Sequence, residues 1–275
     1  MNLNCRGRLL DLAQPKVMGV LNCTPDSFYD GGRYEGQSME AQVDKMISEG
    51  VDIIDVGGMS SKPGAEIISV IEEIRRVKSA LEYIVKEHPT TLVSVDTLQS
   101  KVAERALDLG AHMVNDISGG NHDEKIIKLC VKNDAPYIMM HMQGKPSTMQ
   151  EAPTYDDVVL DILKSFNVQI KKYRAQGMKD IIIDPGFGFG KSVQHNYQLL
   201  AGLSAFRITE CPVLVGVSRK SMLYKPLDIS PLEALSATTA AHMIALHNGA
   251  NILRVHDVKE AKQCIQIFQM SNGIF

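Results

Sequence analysis

The stretch Asp184-Pro-Gly-Phe-Gly-Phe-Gly-Lys191 combines a carboxylate, alternating glycines and a lysine. It follows the β-branched run 180–183, which predicts a strand buried on both faces. A carboxylate at the end of such a strand, followed by glycines, suits a small molecule that must come close to the backbone. Two nucleotide motifs are excluded, because a P-loop requires glycine where Pro185 stands and a dinucleotide fingerprint requires glycine where Lys191 stands. The alternative is a turn that only reverses the chain, and such a turn has no evident use for the carboxylate and the lysine.

Polar side chains also stand at the ends of other predicted strands. Asp96, Asn115 and Asp184 supply oxygen acceptors and one amide, which suit a planar heterocycle that presents several N–H donors. Each of them alone has an ordinary explanation, because an Asp or Asn after a strand is often a helix cap or a turn residue. That explanation has to be repeated at strand after strand, so the set as a whole favours a functional site.

A second group of side chains suits phosphate. Arg254 and His256 stand one residue apart after the last predicted strand, and both can bind phosphate oxygens. Asn22 is a neutral oxygen ligand of the kind that Mg²⁺ uses when substrate phosphates supply the remaining charge. His141 has no such companion in sequence, and we interpret it as a hydrogen-bonded wall residue. Asp55 lies inside its predicted strand, so we interpret it as structural.

Eight strand-then-helix units must position these side chains, and no linker or composition break separates them. The pattern predicts strands at 16–21, 52–56, 91–95, 111–114, 136–140, 180–183, 212–217 and 251–254, and helices at 38–49, 67–87, 100–109, 123–132, 155–175, 193–203, 231–247 and 258–269. Alternating strands and helices require a parallel sheet, and eight units close into a (β/α)₈ TIM barrel with its site at the carboxyl ends of the strands. An open doubly wound sheet is the alternative, but its dinucleotide fingerprint is missing. Residues 1–15 are predicted to add a short hairpin to this single α/β domain of residues 1–275.

Composition limits the partners and the compartment. The formal net charge of −3, without a long basic block, argues against nucleic acid or an anionic membrane as the main partner. The amino end has no apolar core for a signal peptide, and no run approaches a membrane span. The five cysteines are odd in number and scattered, without a CxxC pair, which favours reduced thiols over a disulfide or zinc framework. The sequence therefore predicts a cytoplasmic protein.

Eight segments, taken together, resemble bacterial dihydropteroate synthases. They are 21–32, 56–65, 94–97, 115–119, 141–144, 184–191, 218–221 and 254–257, and they follow the order of the predicted strands. The resemblance covers nearly the whole chain. It implies a folate-pathway transferase on a TIM barrel, expected to form a homodimer. Such an enzyme joins para-aminobenzoate to 6-hydroxymethyl-7,8-dihydropterin diphosphate, which gives 7,8-dihydropteroate and releases diphosphate.

The resemblance also implies a role for each matching residue. The pterin is expected on Asp96, Asn115, Asp184 and Lys220, Mg²⁺ on Asn22, the diphosphate on Ser61, Arg254 and His256, and the aminobenzoate among Phe28, Pro63, Phe189, Lys220 and Ser221. Mg²⁺ and the two phosphate-binding side chains would stabilise the charge on the departing diphosphate. Asp96 and Asp30 would stabilise the pterin-methyl cation that forms, and loop closure would keep water away from it.

The chain departs from the usual family pattern in its first two loops. Ser61-Lys62 stands where the family generally has Thr-Arg, so the hydroxyl is kept and the planar guanidinium is lost. Cys23 and Tyr29 also replace commoner small residues. None of these changes removes a group that the chemistry needs, and they leave open how the protein responds to sulfonamide mimics of aminobenzoate.

Two alternatives share the pterin acceptors. A methyltetrahydrofolate–corrinoid methyltransferase would have no use for Ser218-Arg-Lys220 or for the pair Arg254 and His256. A homologue that binds pterin without turnover should have lost loop residues such as Phe28, Asp30 or Pro63, and all three are present.

Overall fold

The chain begins with a short antiparallel hairpin and continues into a ring of parallel strands. Residues 1–24, 38–60, 67–144 and 153–274 are described by the computed structural model. The hairpin consists of β1 (Asn2–Cys5) and β2 (Arg8–Asp11). The ring, within the described residues, contains eight strands: β3 (Lys16–Asn22), β4 (Ile53–Gly57), β5 (Leu92–Asp96), β6 (Met113–Asp116), β7 (Tyr137–Met140), β8 (Ile181–Asp184), β9 (Leu214–Val215) and β10 (Ile252–Val255).

Each strand of the ring pairs in parallel with its neighbours. The order is β8-β7-β6-β5-β4-β3-β10-β9, and a parallel bridge between Ile183 and Val213 joins the two ends. The predicted (β/α)₈ barrel and its amino-terminal hairpin are therefore confirmed. The carboxyl ends of all the strands lie at one end of the barrel, where this fold places its sites.

Helices form the outer layer between the strands. They are α1 (Met39–Ser48), α2 (Val70–Glu87), α3 (Ser100–Asp108), α4 (Lys125–Lys132), α5 (Val158–Ala175), α6 (Val193–Ala201), α7 (Ser221–Tyr224), α8 (Leu235–His247) and α9 (Val258–Ser271), with a 3-10 helix at Leu203–Thr209. None of the helices in the described ranges combines the length and the apolar character that crossing a membrane requires.

Several predicted boundaries differ from the observed ones for local reasons. Helix α5 begins at Val158 instead of 155, because the Asp157 carboxylate accepts hydrogen bonds from the backbone N–H groups of Val159 and Leu160 and so caps the helix. Strand β9 is shorter than the predicted 212–217. At its start the N–H of Val213 donates to the Asn251 side chain (2.9 Å) and not to a neighbouring strand.

The barrel interior is layered, because side chains along a strand alternate between its two faces. The layer nearest the amino ends is apolar, and every strand of the ring contributes one side chain to it: Met18, Ile53, Leu92, Met113, Ile138, Ile182, Leu214 and Ile252. The hairpin residues Leu3, Cys5 and Leu10, with Leu12, pack against this layer and close that end. Two residues further along, the same face carries Asp55, Ser94, Asn115, Asp184 and Arg254. The same alternation of side chains along the strands therefore places apolar groups at the amino end of the barrel and polar groups at its carboxyl end.

The outward faces of the strands build the main core. Residues such as Val56, Val95 and Ile183 are fully buried against the helices. All five cysteines are buried and free of disulfide bonds. Reduced thiols, as predicted, fit this arrangement.

Candidate active site

The Arg254 guanidinium lies between two carboxylates at the carboxyl end of the barrel. Its Nε donates to Asp55 Oδ2 and its Nη2 donates to Asp96 Oδ2, each at 2.7 Å. The Asn115 amide also donates to Asp55 Oδ2 at 2.9 Å. Strands β4, β5, β6 and β10 thus bring their inward side chains into one hydrogen-bonded cluster. Three of the four residues were predicted as site residues.

Asp55, the fourth member, was interpreted as structural, and its position in this cluster was not predicted. Its side chain is fully buried and binds both Arg254 and Asn115. Its Oδ1 has no hydrogen-bond partner among the described residues. The sequence did carry a signal: Asp55 is an acidic residue within a β-branched run, two positions after the inward-facing Ile53, and a charged group on that face needs a partner.

Burial controls the protonation of the carboxylates in this site. Burial raises the pKa of Asp96 to about 7; the Arg254 charge lowers it, and the Asp55 charge raises it further. Burial also raises the pKa of Asp184, opposed by the Lys220 charge and by a hydrogen bond from the Gly186 N–H. Both carboxylates can therefore gain a proton at a pH at which an exposed Asp is fully ionised.

Asn22, the predicted magnesium ligand, lies at the end of β3 beside Asp96. A Cβ atom built on Gly57 would lie 3.7 Å from Asn22 Oδ1 and 3.8 Å from Asp96 Oδ2, so the missing side chain leaves both oxygens next to the same space. No cluster of three or more His, Cys, Asp or Glu side chains that could hold a metal occurs in the described part of the chain. One neutral oxygen beside an open space fits an Mg²⁺ ion that takes its other ligands from phosphate and water.

Lys220 follows β9, the neighbour of β10, and a Cβ atom built on Gly216 would lie 3.9 Å from Lys220 Nζ and 3.8 Å from Arg254 Cβ. Its Nζ donates to the Phe187 carbonyl oxygen and lies 4.6 Å from the centre of the Phe189 ring. Burial lowers the pKa of Lys220 to about 8, and the nearby Asp184 charge opposes the shift. The ammonium group can donate further hydrogen bonds while it rests on an aromatic face.

The glycine-rich turn uses both of its polar end residues. Asp184 Oδ1 accepts from the Gly186 N–H at 2.8 Å, and Lys191 Nζ donates to carbonyl oxygens within the turn. The expectation that a turn has no use for them is therefore wrong. Gly186 has φ +71°, and a Cβ there would lie 1.9 Å from the His141 carbonyl oxygen, so the turn packs directly on His141. His141 itself is hydrogen-bonded through its backbone and its ring, which confirms its interpretation as a wall residue.

His256 stands at the rim of the barrel mouth and is exposed. Its Nδ1 lies 3.0 Å from Ser218 Oγ, which links the end of β10 to the segment after β9. Ser221 begins α7 directly after Lys220 and is half-buried. These positions leave the imidazole accessible to a ligand in solvent.

Comparison with known proteins shows the family to which this chain belongs. A family model described as pterin binding enzyme matches residues 18–256. Dihydropteroate synthase from Escherichia coli strain K12 is 43% identical over 272 residues, which cover 98% of this chain and 96% of that protein. The chain belongs to the dihydropteroate synthase family of pterin binding enzymes.

Solved structures of dihydropteroate synthases superpose over essentially the whole chain. The Yersinia pestis enzyme, solved with a sulfonamide drug complex, has a TM-score of 0.93 and 40% identity, with 99% of this chain and 100% of that chain covered. The Xanthomonas albilineans enzyme in complex with 7,8-dihydropteroate has a TM-score of 0.88 and 34% identity, with 100% of both chains covered. The same enzyme with 4-aminobenzoic acid has a TM-score of 0.90 and 36% identity, covering 100% of this chain and 99% of that chain.

An apolar wall in this dihydropteroate synthase family member was not predicted. Leu98, Ile117 and Met140 are buried at the carboxyl end of the barrel, and Met59, Met142 and Phe189 pack against them. The wall borders the turn that carries Phe189. A planar heterocycle needs such an apolar surface as well as acceptors, but the residues of the wall share no pattern along the sequence that would predict it.

Four site residues expected of a dihydropteroate synthase cannot be placed. Phe28, Asp30, Ser61 and Pro63 lie outside the described residues, as do the departures Tyr29 and Lys62. The structure brings together Asp96, Asn115 and Arg254, and separately Lys220 and Phe189. The predicted roles of all these residues toward substrates stay predictions.

Proposed function

We propose that this chain is a dihydropteroate synthase that forms 7,8-dihydropteroate and diphosphate from 6-hydroxymethyl-7,8-dihydropterin diphosphate and para-aminobenzoate. The observation that carries the proposal is the cluster of Asp55, Asp96, Asn115 and Arg254 at the barrel mouth. It presents carboxylate and amide oxygens in a recess beside an apolar wall. The similarity to dihydropteroate synthases, 43% identity in the E. coli case, supports the same reaction.

The pterin would bind by its N–H donors to the acceptors of the strand ends. Asp96, Asn115 and Asp184 supply these acceptors, and Lys220 supplies a donor for a ring oxygen or nitrogen. The apolar wall of Leu98, Ile117 and Met140 would pack against one face of the ring. Burial raises the pKa values of Asp96 and Asp184, which disfavours their ionised forms. Hydrogen bonds from the N–H groups of a bound pterin would stabilise these ionised forms.

The diphosphate would bind at the rim of the barrel mouth. His256 is exposed there, Arg254 lies further inward, and Ser61 is expected on the loop after β4. Asn22 would hold Mg²⁺, which when bound helps neutralise the charge on the diphosphate. The role of Arg254 is then twofold, since its guanidinium also forms ion pairs with Asp55 and Asp96.

The reaction would proceed by loss of diphosphate before the amine attacks. The bond between the pterin methylene carbon and the diphosphate oxygen breaks, and the electron pair leaves with the diphosphate. Asp96 and Asp30 would stabilise the resulting cation. The neutral amine of para-aminobenzoate, held near Phe28, Pro63, Phe189, Lys220 and Ser221, then forms the C–N bond and loses a proton.

Diphosphate release by the purified protein tests this function. The protein would be given the pterin diphosphate and Mg²⁺, with and without para-aminobenzoate, and diphosphate and dihydropteroate would be measured together. Coupled formation of both products supports the proposal. Pterin binding without release would identify a homologue that has lost turnover, and failure to bind pterin would contradict the proposal altogether.

We also propose a cytoplasmic homodimer. The dimer rests on the family resemblance, and the compartment rests on the five cysteines, which are buried and free of disulfide bonds. Light scattering behind a sizing column would give twice the 30.3 kDa chain mass for a dimer. A mass of one chain at micromolar concentration would contradict it.

A further inference from the structure

Lys191 is a buried cation that the reaction scheme above does not use. Only 3% of its surface is exposed. Its Nζ lies 2.9 Å from the carbonyl oxygens of Gly186 and Phe189, and 3.4 Å from that of His141. The His141 ring is also near, with Nδ1 at 3.3 Å. An ammonium group has three N–H donors, so these acceptors satisfy it fully.

A buried ammonium group is costly unless its surroundings compensate for lost hydration, so its presence calls for an explanation. Hydrogen bonds from a charged donor are stronger than those between neutral groups. Lys191 therefore draws the carbonyl groups of residues 186 and 189 toward a single point. This fixes the direction of the peptide units between them.

The residues between these carbonyls are the ones that meet Lys220. The Phe187 carbonyl accepts from Lys220 Nζ, and the Phe189 ring lies under the same ammonium group. At the start of the turn, the Gly186 N–H donates to Asp184. The two turn carbonyls that Lys191 holds thus lie within two residues of groups in contact with Asp184 and Lys220, two proposed substrate-binding side chains.

Other bonds hold the outer part of the turn. The Gly188 N–H donates to Asn196 Oδ1 at 2.7 Å, and the Tyr155 hydroxyl donates to the Gly190 carbonyl at 2.9 Å. These contacts fix the turn against α6 and against the segment before α5. They do not reach the carbonyls of residues 186 and 189. The Gly186 carbonyl also accepts from the Phe189 N–H at 3.1 Å, and Lys191 is the side chain that binds both carbonyls.

We infer that Lys191 is a positioning residue for the second substrate: it shapes the turn so that the Phe187 carbonyl and the Phe189 ring hold Lys220 beside the aminobenzoate. The inference rests on the proposed function, because Phe189 and Lys220 are assigned to aminobenzoate there. Lys191 itself touches no substrate in this scheme.

Removing the ammonium group tests the inference. Lys191→Met keeps the length of the side chain and cannot donate, Lys191→Arg keeps the charge, and Lys179→Met removes an exposed lysine as the control. We expect Lys191→Met to raise KM for para-aminobenzoate by about tenfold, and KM for the pterin diphosphate by less than about threefold, because Asp96 and Asn115, two of the four residues proposed to bind the pterin, lie on strands outside the turn. Lys191→Arg should recover part of the loss, and Lys179→Met should match the unmodified protein.

The pH profile separates positioning from a general loss of structure. The two ammonium groups repel each other: after burial, which is the largest cause, and the opposing Asp184 charge, Lys220 contributes to the lowered pKa of Lys191. The pKa of Lys191 is lowered to about 7, so this side chain loses its charge as the pH rises above 7. KM for para-aminobenzoate should therefore rise between pH 7 and 8 in the unmodified protein, and stay level over that interval in Lys191→Arg and Lys191→Met. Unchanged KM values and the same pH dependence of KM for para-aminobenzoate in all variants, with only a smaller active fraction, would overturn the inference.

A measurement that needs no turnover keeps the inference distinct from the proposed function. The chain contains no tryptophan, so Phe189→Trp places a single indole in the turn. Adding Lys191→Met to this variant should increase acrylamide quenching of the indole, whereas adding Lys179→Met should leave it unchanged. Equal quenching in all three proteins contradicts the positioning role even if the protein makes dihydropteroate. If the unmodified protein makes no dihydropteroate, but Lys191→Met still increases quenching of the indole, only the proposed function is contradicted.

Discussion

At the scale of single residues, Asp55 holds the site together although no substrate role was predicted for it. One oxygen of this carboxylate accepts hydrogen bonds from both Arg254 and Asn115. Asp55→Asn would leave a neutral oxygen for two donors and remove a negative charge from beside the guanidinium. We expect kcat/KM for the pterin diphosphate to fall by about tenfold or more. A tenfold fall corresponds to a loss of about 1.4 kcal/mol in transition-state stabilisation.

Steady-state kinetics of Asp55→Asn check this expectation against Glu82→Gln, a change on the exposed side of α2. The loss should appear in kcat/KM for the pterin diphosphate, because Asp55 belongs to the cluster that is proposed to bind the pterin. A loss confined to KM for para-aminobenzoate would contradict the placement of Asp55 in the pterin site.

Two residues with shifted pKa values, Asp96 and Lys220, are expected to set the pH range of activity. The raised pKa of Asp96, about 7, means that this carboxylate gains a proton as the pH falls below 7 and loses acceptor strength. The lowered pKa of Lys220, about 8, means that its ammonium group loses its charge as the pH rises above 8. We therefore expect kcat/KM for the pterin diphosphate to decline on both sides of the interval between 7 and 8.

Lys220→Arg provides the check on this bell-shaped profile. A guanidinium stays protonated throughout the range, so the alkaline limb should disappear while the acidic limb stays in place. If the alkaline limb persists in Lys220→Arg, it belongs to another group.

At the scale of elements, an ion pair joins the ends of β9 and β10. Arg219 stands between Ser218 and Lys220 with φ +53°, and its guanidinium binds both oxygens of Asp257 at 2.8 and 3.0 Å. The same side chain donates to two backbone carbonyls before α8. With this left-handed backbone, the one side chain of Arg219 connects the end of β9 with the end of β10 and with the segment before α8.

Removing this pair should destabilise the protein. Arg219→Met would leave the largely buried Asp257 without its guanidinium, and we expect about 3–5 kcal/mol off the free energy of unfolding. Arg75→Met removes an arginine that is 70% exposed, and should change it by less than about 1 kcal/mol. Urea unfolding of both variants measures the difference, and similar midpoints would show that the pair contributes little.

At the scale of the whole molecule, the two ends of the barrel have separate tasks. The hairpin closes the amino end against an apolar layer, and the polar groups occupy the carboxyl end. Leu10→Ala, at a side chain only 6% exposed, should lower the free energy of unfolding by about 2–5 kcal/mol. Its neighbour Leu9 is 70% exposed, so Leu9→Ala should change it by less than about 0.5 kcal/mol.

Both leucine variants should keep the KM values of the unmodified protein at a temperature where they are folded. Chemical unfolding and steady-state kinetics on the same samples give the comparison. A changed KM in Leu10→Ala would show that the hairpin and the site are coupled through the barrel.

The sequence predicted the barrel, the hairpin and the polar residues at the strand ends, because regular alternation leaves few other arrangements. It did not predict which groups pair. The nearby His256 suggested a phosphate-binding role for Arg254. Nothing in the sequence indicated the carboxylate partner of Arg254, because Asp55 is 199 positions away along the chain. The apolar wall was equally hidden, since Leu98, Ile117 and Met140 come from three separate loops and strand ends with no pattern of their own.

The buried cysteines give the molecule built-in probes of its own opening. Only a thiolate reacts quickly with an alkylating reagent, and burial raises the pKa of both Cys5 and Cys23 to about 12. Cys5 lies in the hairpin, and Cys23 follows Asn22 at the opposite end of the barrel. Alkylation of the folded protein, read by mass at each cysteine, would therefore time the transient exposure of each end independently, without any engineered label.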